Sequence, residues 1–419
     1  MKNTPIMLSA AGSDRATAYV MSRKLVRQGP RLFVTWLDAP AEPKAPTTIM
    51  FAVCDAESGE PLGSFPIGTG IDNHCGAALA IDPEGRLHAV IGAHSGRLSH
   101  RYSDAPEDLG AWSAPEPFGP RDTYPSLVVD RDGTLHLAHR EGHWRADEER
   151  WQVWYRRKRP GRGWEAPRGL VISMYPGYNH FMQTLNVGPA GTLHLSLQFH
   201  YTETGDQKDC KGRAAACLHS PDGGDSWYSE SAPIENLPAT VDDLALVCRH
   251  SHGVSISNAV TDADDQPWFL CSEPGRAAGT LWRRAPGGWE NTDLGAVFGQ
   301  GFHTYTRNAC MTRDAAGSLH LVIPGRPDGQ ETSWGDPGLE LWYVKTDHTG
   351  RCLGRRQITP PFPEAAHWLP SLESWDWCRP EASPIDRPWL LYTQGLNAGG
   401  FGNNVNMCRT KVLLTRLPA

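Results

Sequence analysis

Side chains able to move protons or bind anions stand at matching points along the sequence. They are histidines, arginines and a tyrosine: His74, His94, Tyr124, Arg140, His180, His200, His303 and Arg326. Histidine titrates near neutral pH and suits general acid–base chemistry, and the planar arginine fork can bind a carboxylate through two parallel hydrogen bonds. Tyrosine has an ordinary pKa of about 10 and could act as acid or base where a nearby arginine lowers that value. Converging histidine, tyrosine and arginine side chains are therefore the residues from which we expect an active site.

β-Hairpins are the elements that must position these residues. An apolar strand, a turn and a second apolar strand recur in four clear copies: CGAALAIDPEGRLHAVIGAH from Cys75, YPSLVVDRDGTLHLAHR from Tyr124, QTLNVGPAGTLHLSLQFH from Gln183 and NACMTRDAAGSLHLVIPGR from Asn308. Weaker copies are VTDADDQPWFLCSE from Val260, SPIDRPWLLYTQG from Ser383 and RLFVTWLD from Arg31. Repeated hairpins without helices between them favour radial repetition. The pattern predicts an all-β fold, a seven-bladed β-propeller formed as one domain by residues 1–419, with an elongated β-solenoid as the alternative.

Hairpin geometry predicts that the polar residues meet. In an antiparallel pair, the start of the first strand lies beside the end of the second strand, away from the turn. We call this side of the repeats the open end and the opposite side the turn end. His74, His94, Tyr124 and Arg140 fall at the open end and are the candidate catalytic residues, with His180, His303, Arg326 and Tyr178 as candidate substrate contacts.

A second set of histidines lies nearer the turns. His88, His136, His194 and His320 each follow a leucine at the same point of a copy. A residue repeated at one structural position indicates a structural role, whereas the open-end residues differ from copy to copy. We therefore predict that these four histidines are structural.

Charge and composition exclude several classes of partner. The formal net charge is −7 and no long basic run occurs, which argues against nucleic acid or an anionic membrane as the main partner. No stretch approaches the about 20 apolar residues of a membrane helix, and the segment MKNTPIMLSAAGSDR contains no apolar run of signal-peptide length. We expect no membrane association, and leave the location open between the cytoplasm and secretion or the periplasm.

The sequence resembles a known family. The run DNHCGAALAIDPEGRLHAVIGAHSGRLSHRYS over 72–103 is similar to the signature of the BNR-4 propellers, and TYPSLVVDRDGTLHLAHREG over 123–142 is similar to that family's second conserved segment. The family includes ulvan lyases and rhamnosyl-glucuronate lyases, which are seven-bladed propellers, and members described as α-L-rhamnosidases. The resemblance implies that His74 and His94 on one hairpin, and Tyr124 and Arg140 on the next, cleave an anionic, uronate-containing polysaccharide by β-elimination.

The expected reaction needs no cofactor, but a structural metal is plausible. His143, His200, Cys210 and Cys217 offer two imidazoles and two thiols, a common tetrahedral zinc composition. Some ulvan lyases hold zinc through histidine and cysteine at comparable places, so the resemblance implies a structural zinc site here.

Three other functions remain open. SPDGGDSW, from Ser220 to Trp227, fits the S-x-D-x-G-x-T-W Asp-box found in sialidases, with Ser226 in the threonine position, but we cannot place the arginine triad of those hydrolases. An α-L-rhamnosidase of the same family would act on the same glycosidic bond and give a saturated product. A non-catalytic sugar-binding propeller would need aromatic platforms but no converging Tyr, Arg and His.

Overall fold

The computed structural model describes residues 4–42, 45–142, 149–204, 206–380, 386–397 and 408–418. The strands up to residue 172 are β1 (Ile6–Gly12), β2 (Leu25–Gln28), β3 (Arg31–Asp38), β4 (Thr47–Asp55), β5 (Pro61–Gly70), β6 (Ala78–Ile81), β7 (Leu87–Ile91), β8 (Gly96–Ser103), β9 (Glu116–Val129), β10 (Leu135–Glu141), β11 (Gln152–Lys158) and β12 (Arg168–Ile172). Those up to residue 293 are β13 (Thr184–Val187), β14 (Leu193–Tyr201), β15 (Lys211–Ser220), β16 (Tyr228–Ser229), β17 (Ala232–Pro233), β18 (Leu246–Arg249), β19 (Ser255–Thr261), β20 (Pro267–Glu273), β21 (Arg276–Ala285) and β22 (Gly288–Asp293). The remaining strands are β23 (His303–Thr304), β24 (Cys310–Arg313), β25 (Leu319–Arg326), β26 (Glu340–Thr346), β27 (Cys352–Gln357), β28 (Ala366–Leu372), β29 (Trp389–Gly395) and β30 (Thr410–Arg416).

Helices are short in the described residues. A single α-helical turn, α1, covers Gly295–Phe298, and 3₁₀ turns cover Leu109–Ala111, Gln207–Asp209, Val241–Asp243 and Thr306–Asn308. None of the described helices is long and apolar enough to span a bilayer. The predicted all-β fold is confirmed.

The described strands form five antiparallel sheets. Their strand orders are β28-β29-β30-β1-β3-β4-β5 with β2 on β3, β12-β11-β10-β9-β8-β7-β6, β13-β14-β15-β16-β17 with β18 on β15, β19-β20-β21-β22, and β23-β25-β26-β27 with β24 on β25. In the first sheet β1 pairs with β30, so the two ends of the chain share one ladder.

Each of the seven predicted repeats contributes an antiparallel hairpin. The pairs are β2–β3, β6–β7, β9–β10, β13–β14, β19–β20, β24–β25 and β28–β29. Their first and second strands are largely buried, with apolar clusters between neighbouring repeats. Burial on both faces explains why these strands appear in the sequence as nearly continuous apolar runs rather than alternating ones.

The tight turns have a common form. Gly85, Gly133, Gly191 and Gly317 all take positive φ values, from 77° to 88°, at the last position of their turns, a conformation that costs glycine little. Asp265, with φ of 62°, takes the same place in the β19–β20 turn, and aspartate is among the residues that tolerate this region. The turns therefore set the register that brings the strand starts and strand ends together at the open end.

Candidate active site

A buried carboxylate joins the two predicted catalytic histidines. Asp72 Oδ1 accepts hydrogen bonds from the backbone N–H of His74 at 2.8 Å and from His74 Nδ1 at 3.0 Å. Asp72 Oδ2 lies 2.5 Å from His94 Nδ1, and the two imidazole rings stack with centroids 4.0 Å apart. One aspartate thus fixes the orientation of both rings.

The remaining ring nitrogens of the two histidines differ. Arg15 Nη1 lies 3.2 Å from His74 Nε2, and because a guanidinium can only donate, this nitrogen accepts the hydrogen bond. His74 and His94 both present Nδ1 to a carboxylate, so in their neutral forms each carries its proton there and a lone pair on Nε2. His94 Nε2 makes no hydrogen bond to the described residues, and the His94 side chain is 15% exposed. Of the two histidines, His94 is the one with a free basic nitrogen.

The charge states of His74 and Asp72 follow from burial and from the hydrogen bonds between them. Burial lowers the pKa of His74 to about 3, against the opposing pull of Asp72. Burial also disfavours the Asp72 carboxylate, but the hydrogen bonds from His74 and His94 outweigh it and hold the Asp72 pKa well below its ordinary value. At neutral pH the site therefore holds an ionised aspartate and a neutral His74.

A β-bulge presents Tyr124. The pairing of β9 with β10 shifts register between Ala138 and Arg140, and Tyr124 takes a left-handed φ of 59°. This conformation is rare and costly for a bulky side chain, and such strain is typical of functional positions. In this structure the Tyr124 ring meets His180 edge-on at 5.3 Å and lies 6.1 Å from the His74 ring.

Tyr124 is protonated in this environment. We expected a neighbouring arginine to lower its pKa; burial instead raises the Tyr124 pKa well above its ordinary value, and the nearby Tyr19 adds to this rise. Arg140 acts in the expected direction but is outweighed. The expectation was therefore wrong for the free protein, because it considered the cation without the loss of solvent.

Arg140 is buried among aromatic rings with much of its donor capacity unused. Its Cζ atom lies 4.4 Å from the centroids of both Tyr124 and Trp151 and 5.4 Å from that of Tyr178. Nη1 donates to the backbone carbonyl of Asn179 at 3.2 Å, whereas Nε and Nη2 have no partner among the described residues although the side chain is only 1% exposed. Unpaired buried guanidinium donors are costly, and a carboxylate is the group best shaped to accept them.

Two predicted substrate contacts adjoin this core. His180 packs against Tyr124, and its Nδ1 lies 3.4 Å from Gln198 Nε2. Burial, with a contribution from Arg140, lowers the His180 pKa well below its ordinary value. Tyr178 lies beside Arg140 and contacts Trp151 edge-on at 5.1 Å. His74, His94, Tyr124, Arg140, His180 and Tyr178 form one continuous cluster, which we call the open-end cluster.

The other two predicted contacts lie apart from that cluster. His303 and Arg326 face each other across β23 and β25, as the hairpin geometry required. Arg326 is hydrogen-bonded to Asp328, and no hydrogen bond or ring contact within the described residues joins either residue to the open-end cluster. They belong to the same end of the repeats but not to the same group of contacts.

The predicted zinc ligands are only partly together. His143 lies outside the described residues. His200 is paired with Gly212, which is two residues from Cys210 in the sequence. Cys217 is paired with Ser196, further along the same ladder. At about 3.3 Å per residue, Cys217 is too far from His200 for one ion to bind both. Cys217 instead lines a turn-end cavity of about 370 Å³ with His194, His219 and Trp289.

Sequence reasoning missed several residues of the site. Asp72 stands in the quoted DNHCG motif and was passed over, although a carboxylate two residues before a candidate histidine is a detectable signal. Arg15 and Tyr19 come from the segment before the first repeat, where no periodicity marks them; Arg15 Nη1 donates to the Tyr19 hydroxyl at 2.9 Å. Burial raises the pKa of Tyr19 to about 12, and its ring contacts that of Tyr124 at 4.8 Å.

Comparison with solved structures identifies the same fold elsewhere. An ulvan lyase of polysaccharide lyase family PL25 superposes with a TM-score of 0.69 at 15% identity, covering 98% of this chain and 95% of the lyase chain. The polysaccharide lyase Uly1 superposes with a TM-score of 0.62 at 13% identity, covering 100% of both chains. A PL25 ulvan lyase is also known bound to -[GlcA(1-4)Rha3S]-, with a TM-score of 0.69 at 14% identity over 98% of this chain and 95% of that chain. At these identities the likeness shows a shared fold.

Sequence comparison gives a family but no individual relative. No curated protein matches the chain. The model of a BNR repeat-containing family matches residues 44–296, which is more than half of the 419 residues and spans His74, His94, Tyr124 and Arg140. The chain therefore belongs to this BNR repeat-containing family.

Proposed function

We propose that this protein is a polysaccharide lyase that cleaves a rhamnose–uronate linkage by β-elimination. The observation that carries the proposal is Arg140, a buried guanidinium with Nε and Nη2 unpaired among the described residues, held between aromatic rings beside a protonated tyrosine and the two histidines bound to Asp72. This is a set of groups that a uronate carboxylate would complete.

Arg140 has the role of neutralising the uronate carboxylate. Removing the C5 proton of a uronic acid places negative charge on C5 and the adjacent carboxylate, and a cation on that carboxylate stabilises the enolate-like transition state. Trp151 and Tyr124 hold the guanidinium plane in place, so little reorganisation accompanies the reaction. The unpaired donors match a carboxylate bound through two parallel hydrogen bonds.

His94 and Tyr124 are assigned to the two proton transfers. His94 Nε2 takes the proton from C5, the C5–H electron pair forms the C4–C5 double bond, and the C4–O4 bond breaks with its electrons going to O4. The Tyr124 hydroxyl gives its proton to the leaving O4. An imidazole with an unpaired Nε2 among the described residues is placed to act as the base, and a tyrosine whose pKa burial raises well above its ordinary value is suited to be the acid.

His74 and Asp72 are positioning residues in this scheme. His74 accepts from Arg15 and donates to Asp72, so both of its ring nitrogens are in use. Asp72 holds the His94 Nδ1 proton and thereby leaves the lone pair on Nε2. An anionic oligosaccharide substrate agrees with the GlcA–Rha3S ligand of the PL25 lyase that shares the fold.

The pairing of the strands supports a seven-bladed ring. The strand ladders divide into seven groups of four: β2–β5; β6–β8 with the first half of β9; the second half of β9 with β10–β12; β13–β16; β19–β22; β24–β27; and β28–β30 with β1. We infer that each group is one blade of a single propeller, and that the β1–β30 pairing closes the ring. In this arrangement the open-end cluster lies at one rim.

Ultraviolet absorbance during incubation with rhamnose–glucuronate polymers tests the function. We expect a rise in absorbance from the conjugated C4–C5 double bond of the new non-reducing end, with ulvan and gum arabic side chains among the substrates. New reducing ends with a saturated uronate would mean hydrolysis and would replace the proposal with the rhamnosidase alternative. If every uronate polymer gives neither an absorbance rise nor new reducing ends, the proposal is overturned.

A further inference from the structure

Two short stretches outside the open-end cluster bring three metal-binding side chains together, those of Cys248, His250 and Glu273, with the Cys271 sulfur beside that of Cys248. Cys248 lies in β18 and His250 follows it by two residues; Cys271 and Glu273 lie two residues apart at the end of β20. The pairing of β20 with β21 shifts register between Cys271 and Glu273, so the grouping is read from the distances between ligand atoms and not from strand alternation. β18 pairs with β15 of one sheet, and β20 belongs to the next sheet.

Two of the distances between these ligand atoms match edges of a zinc tetrahedron. Ligand atoms of Cys248, His250 and Glu273 all lie within 4.8 Å of one another. His250 Nε2 is 3.2 Å from Glu273 Oε1, and the Cys248 and Cys271 sulfurs are 3.9 Å apart. Bonds of about 2.3 Å to sulfur and about 2.0 Å to nitrogen or oxygen give tetrahedral edges of about 3.8 Å and about 3.3 Å. The two thiols are free and too far apart for a disulfide.

The surroundings orient the ligands toward a shared centre. Trp282 Nε1 donates to Glu273 Oε2 at 3.1 Å, which leaves Oε1 facing His250. The backbone N–H of His250 donates to the Arg213 carbonyl at 2.7 Å, fixing the segment after β18. Hydrogen bonds that hold the outer atoms of ligands are a common feature of metal sites.

Within the described residues, no Lys or Arg side chain forms an ion pair with the Glu273 carboxylate. Its side chain is only 8% exposed, and among the described residues His250 is the one basic side chain in ion-pair contact with it. Arg276, across the β20–β21 turn, hydrogen-bonds Thr280 and Asn291 instead. A buried carboxylate is costly without a compensating charge, and a divalent ion would supply it.

We propose that Cys248, His250, Cys271 and Glu273 bind one zinc ion that ties the end of β18 to the end of β20. Thiolate and imidazole ligands favour zinc over magnesium or calcium. Cys248 and Trp282 also pack against the apolar cluster that contains Tyr19 and Tyr124, so the ion would stabilise the wall next to the open-end cluster. Four protein ligands leave no open position, which makes the role structural.

Metal analysis of the full chain, purified after expression in zinc-supplemented medium, tests this site. We expect Cys248→Ser and Glu273→Gln each to hold one zinc per chain fewer than the parent. Cys210→Ser, which changes the zinc set predicted from sequence, and Cys352→Ser, a partly exposed thiol elsewhere, are the controls and should keep the zinc of the Cys248 site. Cobalt substituted for zinc should give a thiolate-to-cobalt charge-transfer band that Cys248→Ser weakens and Cys352→Ser does not.

Thiol titration of the parent protein gives a readout that does not depend on a variant folding. We expect a chelator to make two additional thiols reactive and to lower the melting temperature. A parent protein without zinc, or Cys248→Ser and Glu273→Gln proteins that fold and keep all of it, would overturn the proposal. Loss of all zinc in Cys210→Ser alone would assign the metal to the other set and equally overturn it.

Discussion

The two ends of the repeats use the same residue types in opposite ways. At the turn end, His88, His136 and His320 each bond a turn aspartate through Nε2, at 3.0–3.2 Å, the partners being Asp82, Asp130 and Asp314. At the open end, two donors of Arg140 and the Nε2 atom of His94 have no hydrogen-bond partner in the part of the chain that the structure describes. Polar groups with all their hydrogen bonds made within the protein stabilise the fold, whereas converging polar groups without partners are typical of a ligand-binding site.

The turn end repeats one small network with local substitutions. The other oxygen of each turn aspartate accepts the backbone N–H that closes the turn, as Asp130 does from Thr134 at 2.8 Å. His136 Nδ1 then bonds the Tyr155 hydroxyl at 2.7 Å, and His320 bonds Tyr343 in the same way at 2.8 Å. In the β19–β20 repeat Trp268 replaces the histidine and donates to Asp262 at 2.9 Å. Each turn aspartate is met by a side-chain donor, and these contacts agree with the predicted structural role of His88, His136 and His320. His194, the fourth histidine of that set, lies 3.6 Å from Asp265 through Nε2.

The largest expected effects come from the proton-transfer groups of the open end. His94→Ala and Tyr124→Phe should each lower kcat by about 10²–10⁴-fold, because each removes a proton acceptor or donor from the transition state. Steady-state kinetics on the polymer found by the absorbance assay measures this, with circular dichroism to show that the variants fold. Near-parent turnover in both variants would remove the acid–base assignment.

Asp72→Asn should have a smaller effect through the histidines it orients. The variant keeps the shape but no longer fixes the Nδ1 protons of His74 and His94, so we expect kcat to fall by about 10–100-fold. Because Asp72 does not touch the substrate in this scheme, KM should stay near the parent value. A change confined to KM would place Asp72 in substrate binding instead.

At the turn end the expected effect is on stability and not on turnover. His136→Ala leaves Asp130 and Tyr155 without their partner, which should cost roughly 1–3 kcal/mol of unfolding free energy. Urea unfolding measures the cost, and the activity of the folded variant should match the parent. A large loss of kcat without destabilisation would contradict the division between the two ends.

The smallest expected effect is on the pH dependence of stability. Burial lowers the pKa of both His74 and His100 to about 3, whereas an unfolded histidine titrates at about 6.5. The unfolded chain thus binds more protons within this window, so stability is complete above the unfolded value and falls as pH decreases. His100→Gln, at the turn end, should flatten the dependence between about pH 7 and about pH 4.5. An unchanged slope in urea unfolding at both pH values would contradict this.

The sequence predicted the hairpins well because they rest on local signals. Apolar strands and D-x-x-G turns are contiguous, and the open-end position of His74, His94, Tyr124 and Arg140 follows from hairpin geometry alone. Arg15 and Tyr19 escaped prediction because they lie outside any repeat and reach the site only through contacts with residues distant in sequence, such as His74 and Tyr124. The expected direction of the Tyr124 pKa shift was wrong for a related reason. The extent of burial depends on packing between repeats, and the sequence of one repeat does not show that packing.

The zinc ligands show the same division between local and long-range information. Cys210 and Cys217 are close in sequence, but β15 is extended, so the seven-residue separation places Cys217 well down the ladder from His200. Cys248 and Cys271 are further apart in sequence, yet their sulfurs lie 3.9 Å apart because two sheets meet there. The proposed zinc ligands thus differ from the predicted ones in residues that only the packing of two sheets brings together.

A matched pair of arginine substitutions tests the central claim most directly. Arg140 and Arg156 are both buried on neighbouring strands β10 and β11, but Arg156 Nε bonds His139 at 3.3 Å and contacts Phe118 instead of the open-end cluster. The account predicts that Arg140→Lys, which keeps the charge and loses the fork, lowers kcat for uronate elimination by about 10²–10³-fold, while Arg156→Lys leaves it near the parent value. Equal activity in the two variants would contradict the assignment of the open end as the catalytic site.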